Sequence, residues 1–267
     1  MTKIAVCGIA GRMGQRLAQL VLESEDLELV GATEREDHEV VGRDAGEGIG
    51  VPELGLVVTS GLAPVVDKAD VVIAFTTPDA TLRDAGICAA AGTSMVVGTT
   101  GMSDEQLDRF SETVAPITCV FAPNFSTAMN VLFELVERAA RVLGEDYDVE
   151  VVESHHRFKV DAPSGSALCL AERAAAGHDK KAADVLVHGR HGKPGERTRQ
   201  EIGMHALRLG DVAGDHAVFF GAPGEVLELR HHATSRDSFA LGALRAARFA
   251  ATADIGLYDM GDVLGLG

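Results

Sequence analysis

Short apolar runs alternate with longer amphipathic stretches through the first half of the chain. The stretches repeat apolar residues at helical spacing, and Ser103 to Gln106 form a capping box for a helix that continues to Val114. The runs have the length of buried strands: 3–8, 27–33, 70–76, 94–97 and 117–122. Strands that alternate with helices in this way predict an α/β fold, with a doubly wound parallel sheet over residues 1–126.

The pattern changes after residue 126. A long amphipathic helix is predicted over residues 128–143, and a helical pattern returns at 237–251. Between them five strands are predicted, with one helix between the first two: 149–153, 185–187, 201–208, 216–220 and 226–231. A region composed mainly of consecutive strands predicts an α+β domain with an open mixed sheet.

A glycine turn joins the first predicted strand to the first predicted helix. Gly8, Gly11 and Gly14 are spaced so that the backbone can bend tightly and approach a pyrophosphate. Ile9 stands where the usual dinucleotide-binding turn has its first glycine. The turn therefore favours a nucleotide site, and an ordinary strand–turn–helix connection is the alternative.

Polar turns also follow the later strands. Glu34 can accept hydrogen bonds from ribose hydroxyls, and Arg35 can neutralise a ribose 2′-phosphate. NADH and NADPH are therefore both candidate cofactors, although a solvated charge pair would have the same sequence. Ligands bind beyond the carboxyl ends of parallel strands, where the other turns lie: Phe75, Gly98-Thr99-Thr100 and Pro123-Asn124-Phe125.

Proton donors and a cation precede a predicted helix start at Ser164. His155 and His156 can titrate near neutrality, and Lys159 supplies a positive charge. Ser164 is a good N-cap, and the amides of the next two residues can face an anionic oxygen. The cluster predicts a site for a small dianion that undergoes protonation. The alternative is a basic surface cluster beside an ordinary capped helix.

The composition excludes several classes of partner. The formal charge is −16, with 40 acidic and 24 basic residues, which argues against nucleic-acid and anionic membrane partners. No apolar run is long enough for a membrane span, and we expect a cytoplasmic protein. We expect no metal site, because the four cysteines form no C-x-x-C pair and the paired histidines lack a fixed ligand geometry.

Taken together, these motifs resemble the dihydrodipicolinate reductase family, in order and over nearly the whole chain. The most specific part is Glu153-x-His155-His156-Arg157-x-Lys159-x-Asp161-Ala162-Pro163-Ser164-Gly165-Ser166. The supporting parts are Gly8-x-x-Gly11-Arg12-Met13-Gly14, Glu34-Arg35, Gly98-Thr99-Thr100-Gly101, Asn124-Phe125-Ser126 and Gly256-Leu257-Tyr258-Asp259-Met260. Phe158 stands where many members have a third histidine, and Ser166 where many have threonine. Neither departure removes a proposed catalytic group.

The resemblance implies a 4-hydroxy-tetrahydrodipicolinate reductase of lysine and diaminopimelate biosynthesis. Such an oxidoreductase uses NADH or NADPH, acts on a small dicarboxylate cyclic imine and forms a homotetramer. The implied domains are a Rossmann-like dinucleotide-binding domain over residues 1–126 and 236–267, and a substrate-binding and oligomerisation domain over residues 127–235.

The resemblance also implies roles for individual residues. His155 would handle the proton, with Lys159 as the second catalytic residue and alternative donor. The implied substrate-binding residues are His156, Lys159, Ser164, Gly165 and Ser166. The implied cofactor-binding residues are Gly8, Ile9, Ala10, Gly11, Arg12, Met13, Gly14, Glu34, Arg35, Phe75, Gly98, Thr99, Thr100, Ala122, Pro123, Asn124 and Phe125.

Two other functions are compatible with the nucleotide half of the chain. An amino-acid dehydrogenase that runs a related imine chemistry needs that half but not the motif from His155 to Ser166. A non-catalytic dinucleotide sensor would keep Gly8 to Gly14 and lose His155 or Lys159. Both of these side chains are present.

Overall fold

The computed structural model describes residues 1–235 and 237–266. Its helices and strands, in chain order, are β1 (Thr2–Cys7), α1 (Arg12–Leu22), β2 (Leu27–Glu34), α2 (Ala45–Ile49), β3 (Thr59–Ser60), β4 (Val71–Ala74), α3 (Pro78–Ala91), β5 (Ser94–Val97), α4 (Asp104–Val114), β6 (Thr118–Phe121), α5 (Thr127–Leu143), β7 (Asp148–His155), α6 (Gly165–Gly177), α7 (Ala182–Val185), β8 (Leu186–His188), β9 (Ile202–Arg208), β10 (Asp215–Ala222), β11 (Glu225–His232), α8 (Asp237–Ala250), β12 (Gly256–Tyr258) and α9 (Met260–Leu264). Two compact units result, Met1–Thr127 with Asp237–Gly267, and Ala128–Arg236.

The first unit contains a seven-stranded sheet in the order β12-β6-β5-β4-β1-β2-β3. Every pairing in it is parallel. Successive residues of β1 point to opposite faces, so Ile4 and Val6 enter one apolar core while Ala5 and Cys7 enter another. Helices α1 and α8 cover the first face, and α3 and α4 cover the second. The predicted doubly wound parallel sheet is confirmed.

Two features of the first unit agree with local signals in the sequence, whereas its shortest elements, α2, β3, β12 and α9, were not predicted. The capping box is present, because the Ser103 hydroxyl accepts from the Gln106 amide and the Gln106 side chain accepts from the Ser103 amide. Residues 237–250 form helix α8, as its alanine-rich pattern predicts. Strand β12 was not predicted. Its three residues are too few to show a period, and its pairing with β6 fixes it.

The second unit contains a five-stranded sheet in the order β11-β10-β7-β9-β8. Strand β10 is antiparallel to both of its neighbours, whereas β7, β9 and β8 run parallel, so the sheet is open and mixed as predicted. The prediction of one helix between the first two strands was wrong, because both α6 and α7 lie there. Val185 ends α7 instead of starting a strand. The sequence did not reveal α7, because a helix of four residues shows no clear period.

Two remaining expectations concern side chains and membranes. Cys7, Cys88 and Cys119 are buried, and Cys169 is partly buried. Over residues 1–235 and 237–266, no helix is both long enough and apolar enough to cross a bilayer.

A glycine pair provides a test of packing in the first unit. A Cβ at Gly242 in α8 would overlap the carbonyl oxygen of Phe125, whereas a Cβ at Gly86 in α3 would meet no atom of the described residues within 4 Å. We expect Gly242→Ala to destabilise the protein by about 1–3 kcal/mol or more, because neither backbone segment can yield easily. Gly86→Ala should stabilise it by about 0.5–1 kcal/mol, because alanine restricts the unfolded helix segment. Urea denaturation measures both, and equal effects of the two changes would contradict this packing.

Candidate functional site

The glycine turn of the first unit brings helix α1 against the end of β1. The Gly11 amide donates to the Gly8 carbonyl at 3.0 Å, and Gly8 has a φ of +73°, which favours glycine. A Cβ at Gly14 would overlap the Gly8 carbonyl oxygen. The N-cap of α1 is Gly11, which has no side chain to cap the helix. The first turn of α1 is therefore suited to an anionic group of a ligand.

Glu34 links this turn to the end of β2. Its carboxylate accepts from the Ala10 amide at 3.0 Å and from the Arg35 amide at 3.0 Å. Arg35 itself is 70% exposed and pairs with Asp37 at 3.4 Å. A solvated pair of this kind is weak, so the guanidinium can turn towards another anion at little cost.

A cleft of 490 Å³ lies at the carboxyl ends of β1, β2 and β4. Six of the expected cofactor residues line it: Gly8, Ala10, Gly11, Glu34, Arg35 and Phe75. Residues that the sequence did not single out also line it, among them Thr33, His38 and Asp84. Asp84 is buried, and this burial raises the pKa of its carboxyl. A polar position in the middle of α3 gives no local signal of a site.

The other expected cofactor residues lie at neighbouring strand ends, and several use their side chains within the protein. The Thr99 hydroxyl accepts from the Thr76 amide at 3.1 Å and lies 2.7 Å from the Thr81 hydroxyl. Ile9 is buried in the core. These two residues can therefore offer a ligand only their backbone. Ala122, Asn124 and Phe125 are buried, whereas Arg12, Thr100 and Pro123 are exposed and Met13 and Gly98 are intermediate.

Phe75 and Phe125 join two of these turns. Their ring centroids are 5.4 Å apart, with the ring planes tilted by 57°. A Cβ at Gly98 would overlap the Phe75 ring. Gly98 thus allows the turn after β5 to pack on the turn after β4.

The second unit contains a separate cluster around a buried carboxylate. Glu153 is 0% exposed and accepts hydrogen bonds from three partners. Arg208 donates through two nitrogens at 2.9 and 2.8 Å, the Ser164 amide donates at 3.2 Å, and Nδ1 of His155 lies at 2.6 Å. The strand register explains this arrangement, because His155 at the end of β7 pairs with Arg208 at the end of β9.

Burial and charge set the protonation of this cluster. Burial alone would raise the pKa of Glu153, but the hydrogen bonds from Arg208 and His155 outweigh it and the pKa lies below its usual range. Glu153 is therefore a carboxylate that can only accept, and Nδ1 of His155 must donate to it. Burial lowers the pKa of His155, and the Glu153 charge offsets part of that effect. The Nε2 atom is left as the nitrogen that can exchange a proton with a ligand.

Lys159 lies in the loop that follows His155. Its ammonium is 2.9 Å from Asp161, and its side chain is 21% exposed. Arg208 also donates to the Asp161 carbonyl at 2.6 Å, so the guanidinium that holds Glu153 also holds this loop. His156 is half-buried, and among residues 1–235 and 237–266 its Nδ1 atom has no hydrogen-bond partner. Phe158, which replaces the third histidine, is 79% exposed.

Ser164 begins helix α6, as predicted. Its hydroxyl accepts from the Ala167 amide at 3.2 Å and lies 3.0 Å from Nε2 of His216. Gly165 is exposed and Ser166 is partly buried, and their amides belong to the first turn of α6.

The sequence signals missed three members of this cluster. Glu153 was part of the quoted motif but had no role, although its i, i+2 spacing from His155 puts both on one face of a strand. Arg208 and His216 lie on β9 and β10, far along the chain, and only the strand pairing brings them to the site.

Two family models together cover nearly the whole chain, but they divide it by sequence, so helix α8 of the first unit falls within the C-terminal model. The family model for the N-terminus of dihydrodipicolinate reductase matches residues 2–125, and the model for its C-terminus matches residues 128–264. The 4-hydroxy-tetrahydrodipicolinate reductase of Anaeromyxobacter sp. (strain Fw109-5) is 51% identical over 100% of this chain and 98% of its own length. That of Alkalilimnicola ehrlichii is 46% identical over 99% of each chain.

Solved structures share the fold. Dipicolinate-bound dihydrodipicolinate reductase from Paenisporosarcina sp. TG-14 has a TM-score of 0.76 and 27% identity, over 97% of each chain. An amine dehydrogenase from Mycobacterium smegmatis has a TM-score of 0.67 over 96% of this chain and 94% of its own, but at 14% identity the likeness concerns the fold alone. The two family models together span nearly the whole chain, and the chain belongs to the dihydrodipicolinate reductase family.

Proposed function

We propose that this protein reduces 4-hydroxy-tetrahydrodipicolinate to tetrahydrodipicolinate with loss of water, in lysine and diaminopimelate biosynthesis. One observation carries the proposal. His155 is held by a buried carboxylate that also holds the start of helix α6 and, through Arg208, the loop of Lys159. Relatives 45–51% identical over essentially their full length are named as this reductase, which supports the same reaction here.

A dinucleotide fits the first unit. The close approach at Gly14, the uncapped start of α1 and the 490 Å³ cleft suit a pyrophosphate and its ribose. Glu34 would accept from ribose hydroxyls, and Arg35 would meet a 2′-phosphate if one is present. The reduced nicotinamide supplies the hydride when it is bound. We infer that both NADH and NADPH serve.

The second unit carries groups for a cyclic dicarboxylate. Lys159 supplies a cation, and the amides of Gly165 and Ser166 supply donors at a helix start. The Ser164 hydroxyl and His156 would add further hydrogen bonds. Two carboxylates can then be held at once, which fixes the ring and stabilises negative charge that develops in it.

We assign the proton step to Nε2 of His155. Glu153 fixes the tautomer by accepting from Nδ1, so Nε2 is the nitrogen that would exchange a proton with the substrate. A Cβ at position 214 would come within 3.1 Å of Nε2, and glycine there leaves this nitrogen accessible. Burial lowers the pKa of His155. A dianionic substrate nearby would raise this pKa and favour the protonated imidazolium, which can then donate its proton from Nε2.

We also propose a homotetramer, which the family resemblance implies. The face of the five-stranded sheet opposite the helical core carries Val152, Leu207 and Phe219, and Leu207 is exposed. Apolar side chains on such a face favour association between copies. We expect the enzyme to act in the cytoplasm without nucleic-acid or membrane partners.

The cofactor proposal predicts a selective effect at Arg35. Arg35→Ala should weaken NADPH binding by about 1–3 kcal/mol, because it removes a hydrogen-bonded charge from the 2′-phosphate. NADH binding should change little. Arg43→Ala is a matched control, since Arg43 is also exposed and lies outside the cleft. Equilibrium titration with both cofactors measures the effect, and equal weakening of the two would limit Arg35 to a structural role.

The reaction and the role of His155 are tested in one coupled assay. Substrate generated by the upstream synthase should be consumed with loss of reduced nicotinamide absorbance. His155→Gln should lower kcat by roughly 10²-fold or more and leave NADH affinity nearly unchanged, because glutamine cannot donate the proton. His188→Gln is the control, since His188 is exposed at the end of β8. An unchanged kcat in His155→Gln would transfer the proton step to Lys159.

The carboxylate site is tested with an inhibitor and a matched lysine pair. Pyridine-2,6-dicarboxylate offers two ring carboxylates and no hydride acceptor, so it should compete with substrate. Lys159→Met removes the cation but keeps an unbranched stem, and it should raise KM, lower kcat and weaken the inhibitor together. Lys180→Met is the control, because Lys180 is equally exposed and pairs with Glu145. Undiminished inhibition in Lys159→Met would show that Lys159 does not hold a carboxylate.

A further inference from the structure

His216 contacts the N-cap residue of helix α6 through one ring nitrogen, and its other ring nitrogen is buried without a partner among the described residues. It is 4% exposed, and its Nε2 atom is 3.0 Å from the Ser164 hydroxyl oxygen. Its ring meets the His155 ring edge-on at a centroid distance of 5.2 Å. The other nitrogen, Nδ1, is buried and has no hydrogen-bond partner in residues 1–235 and 237–266.

The Ser164 hydroxyl has one proton and two lone pairs to distribute. One lone pair already accepts from the Ala167 amide at 3.2 Å. If the hydroxyl donates to His216, the imidazole must carry its proton on Nδ1, where a buried N–H finds no acceptor. If His216 donates from Nε2, both lone pairs of Ser164 are used and the hydroxyl proton remains for a ligand.

The second arrangement is the favourable one. Burial lowers the pKa of His216 to about 4, so the ring is neutral at pH 7 and carries only one proton. A buried N–H without an acceptor is rarer in proteins than a buried acceptor without a donor. The proton therefore lies on Nε2, and Ser164 can act only as a donor towards a third group.

We propose that His216 is a positioning residue that makes the Ser164 hydroxyl an obligate donor to a substrate carboxylate. The inference rests on the proposed function, in which Ser164 binds a carboxylate. His216 touches no substrate. It occupies the second lone pair of Ser164, which excludes the hydroxyl orientation that would turn a lone pair towards the anion.

A double-mutant cycle separates this role from simple core packing. Ser164→Ala should raise KM for substrate and Ki for pyridine-2,6-dicarboxylate by roughly tenfold or more, because it removes a hydrogen bond to a charged group. His216→Leu should raise both by roughly two- to tenfold, with the KM for NADH unchanged. In the double variant His216→Leu should add nothing to the effect of Ser164→Ala, since the two act through one hydroxyl.

Two further variants serve as rescue and control. His216→Gln offers an amide N–H near the position of Nε2 and should recover most of the substrate affinity. Phe220→Leu removes a fully buried ring from the same strand and should lower the unfolding midpoint without moving KM or Ki. In the wild-type protein with bound pyridine-2,6-dicarboxylate, the ¹⁵N chemical shifts of His216 should report a protonated Nε2 and a bare Nδ1.

The results distinguish a failure of the His216 inference from a failure of the proposed function. If Ser164→Ala raises KM and Ki but His216→Leu changes neither, the inference is wrong and the proposed function stands. The same holds if the effects of the two substitutions multiply in the double variant. A protonated Nδ1 in the inhibitor complex would overturn it even if His216→Leu fails to fold. If Ser164→Ala leaves both constants unchanged, the carboxylate assignment of the proposed function fails first and the inference falls with it.

Discussion

The second unit depends on one buried charge. Glu153 is fully removed from water, and an ionised carboxylate in that position is costly unless every lone pair is satisfied. Arg208, His155 and the Ser164 amide satisfy it, and these come from the ends of two parallel strands and from a helix start. Removal of one partner of a buried pair typically costs about 3–5 kcal/mol, so the strands and helix are held in register by the same bonds that orient the imidazole. Stability and site geometry are therefore one requirement in this unit.

The first unit depends on a different constraint, the close approach of neighbouring segments at positions where only glycine fits. A Cβ at Gly14, in the first turn of α1, would overlap a carbonyl oxygen, and a Cβ at Gly98, directly after β5, would overlap an aromatic ring. Close approach brings backbone amides and carbonyls to the edge of the sheet, where a nucleotide can meet them. Side chains such as Thr99 then stabilise the turns from inside. The first unit thus presents mainly backbone groups at its sheet edge, which suit an extended dinucleotide. The second unit presents charged side chains, which suit a small dianion.

Local signals predicted the parts of the molecule that are decided locally. Apolar runs located five of the seven strands of the parallel sheet, and the capping residues Ser103 and Ser164 located two helix starts. The missed strands and helices are each too short to show a period: β3, β12, α2, α7 and α9. Arg208 and His216 were missed for another reason. Nothing near them in the chain distinguishes them from ordinary strand residues, and their roles arise only when β9 and β10 lie beside β7.

The two carboxylates near the histidines differ in exposure, since Glu153 is buried and Asp161 is exposed. This difference controls the charge available at the site. Glu153 is inaccessible and permanently neutralises Arg208, so that pair offers no net charge to a ligand. Asp161 is 59% exposed and pairs with Lys159, and water can solvate it again at little cost once the lysine turns away. In the proposed substrate complex a dicarboxylate would therefore replace Asp161 at Lys159, whereas the buried Glu153–Arg208 pair would stay intact. The overall charge of −16 opposes an anionic substrate, and under the proposed function the exchangeable pair would make the site positive only when the dianion binds.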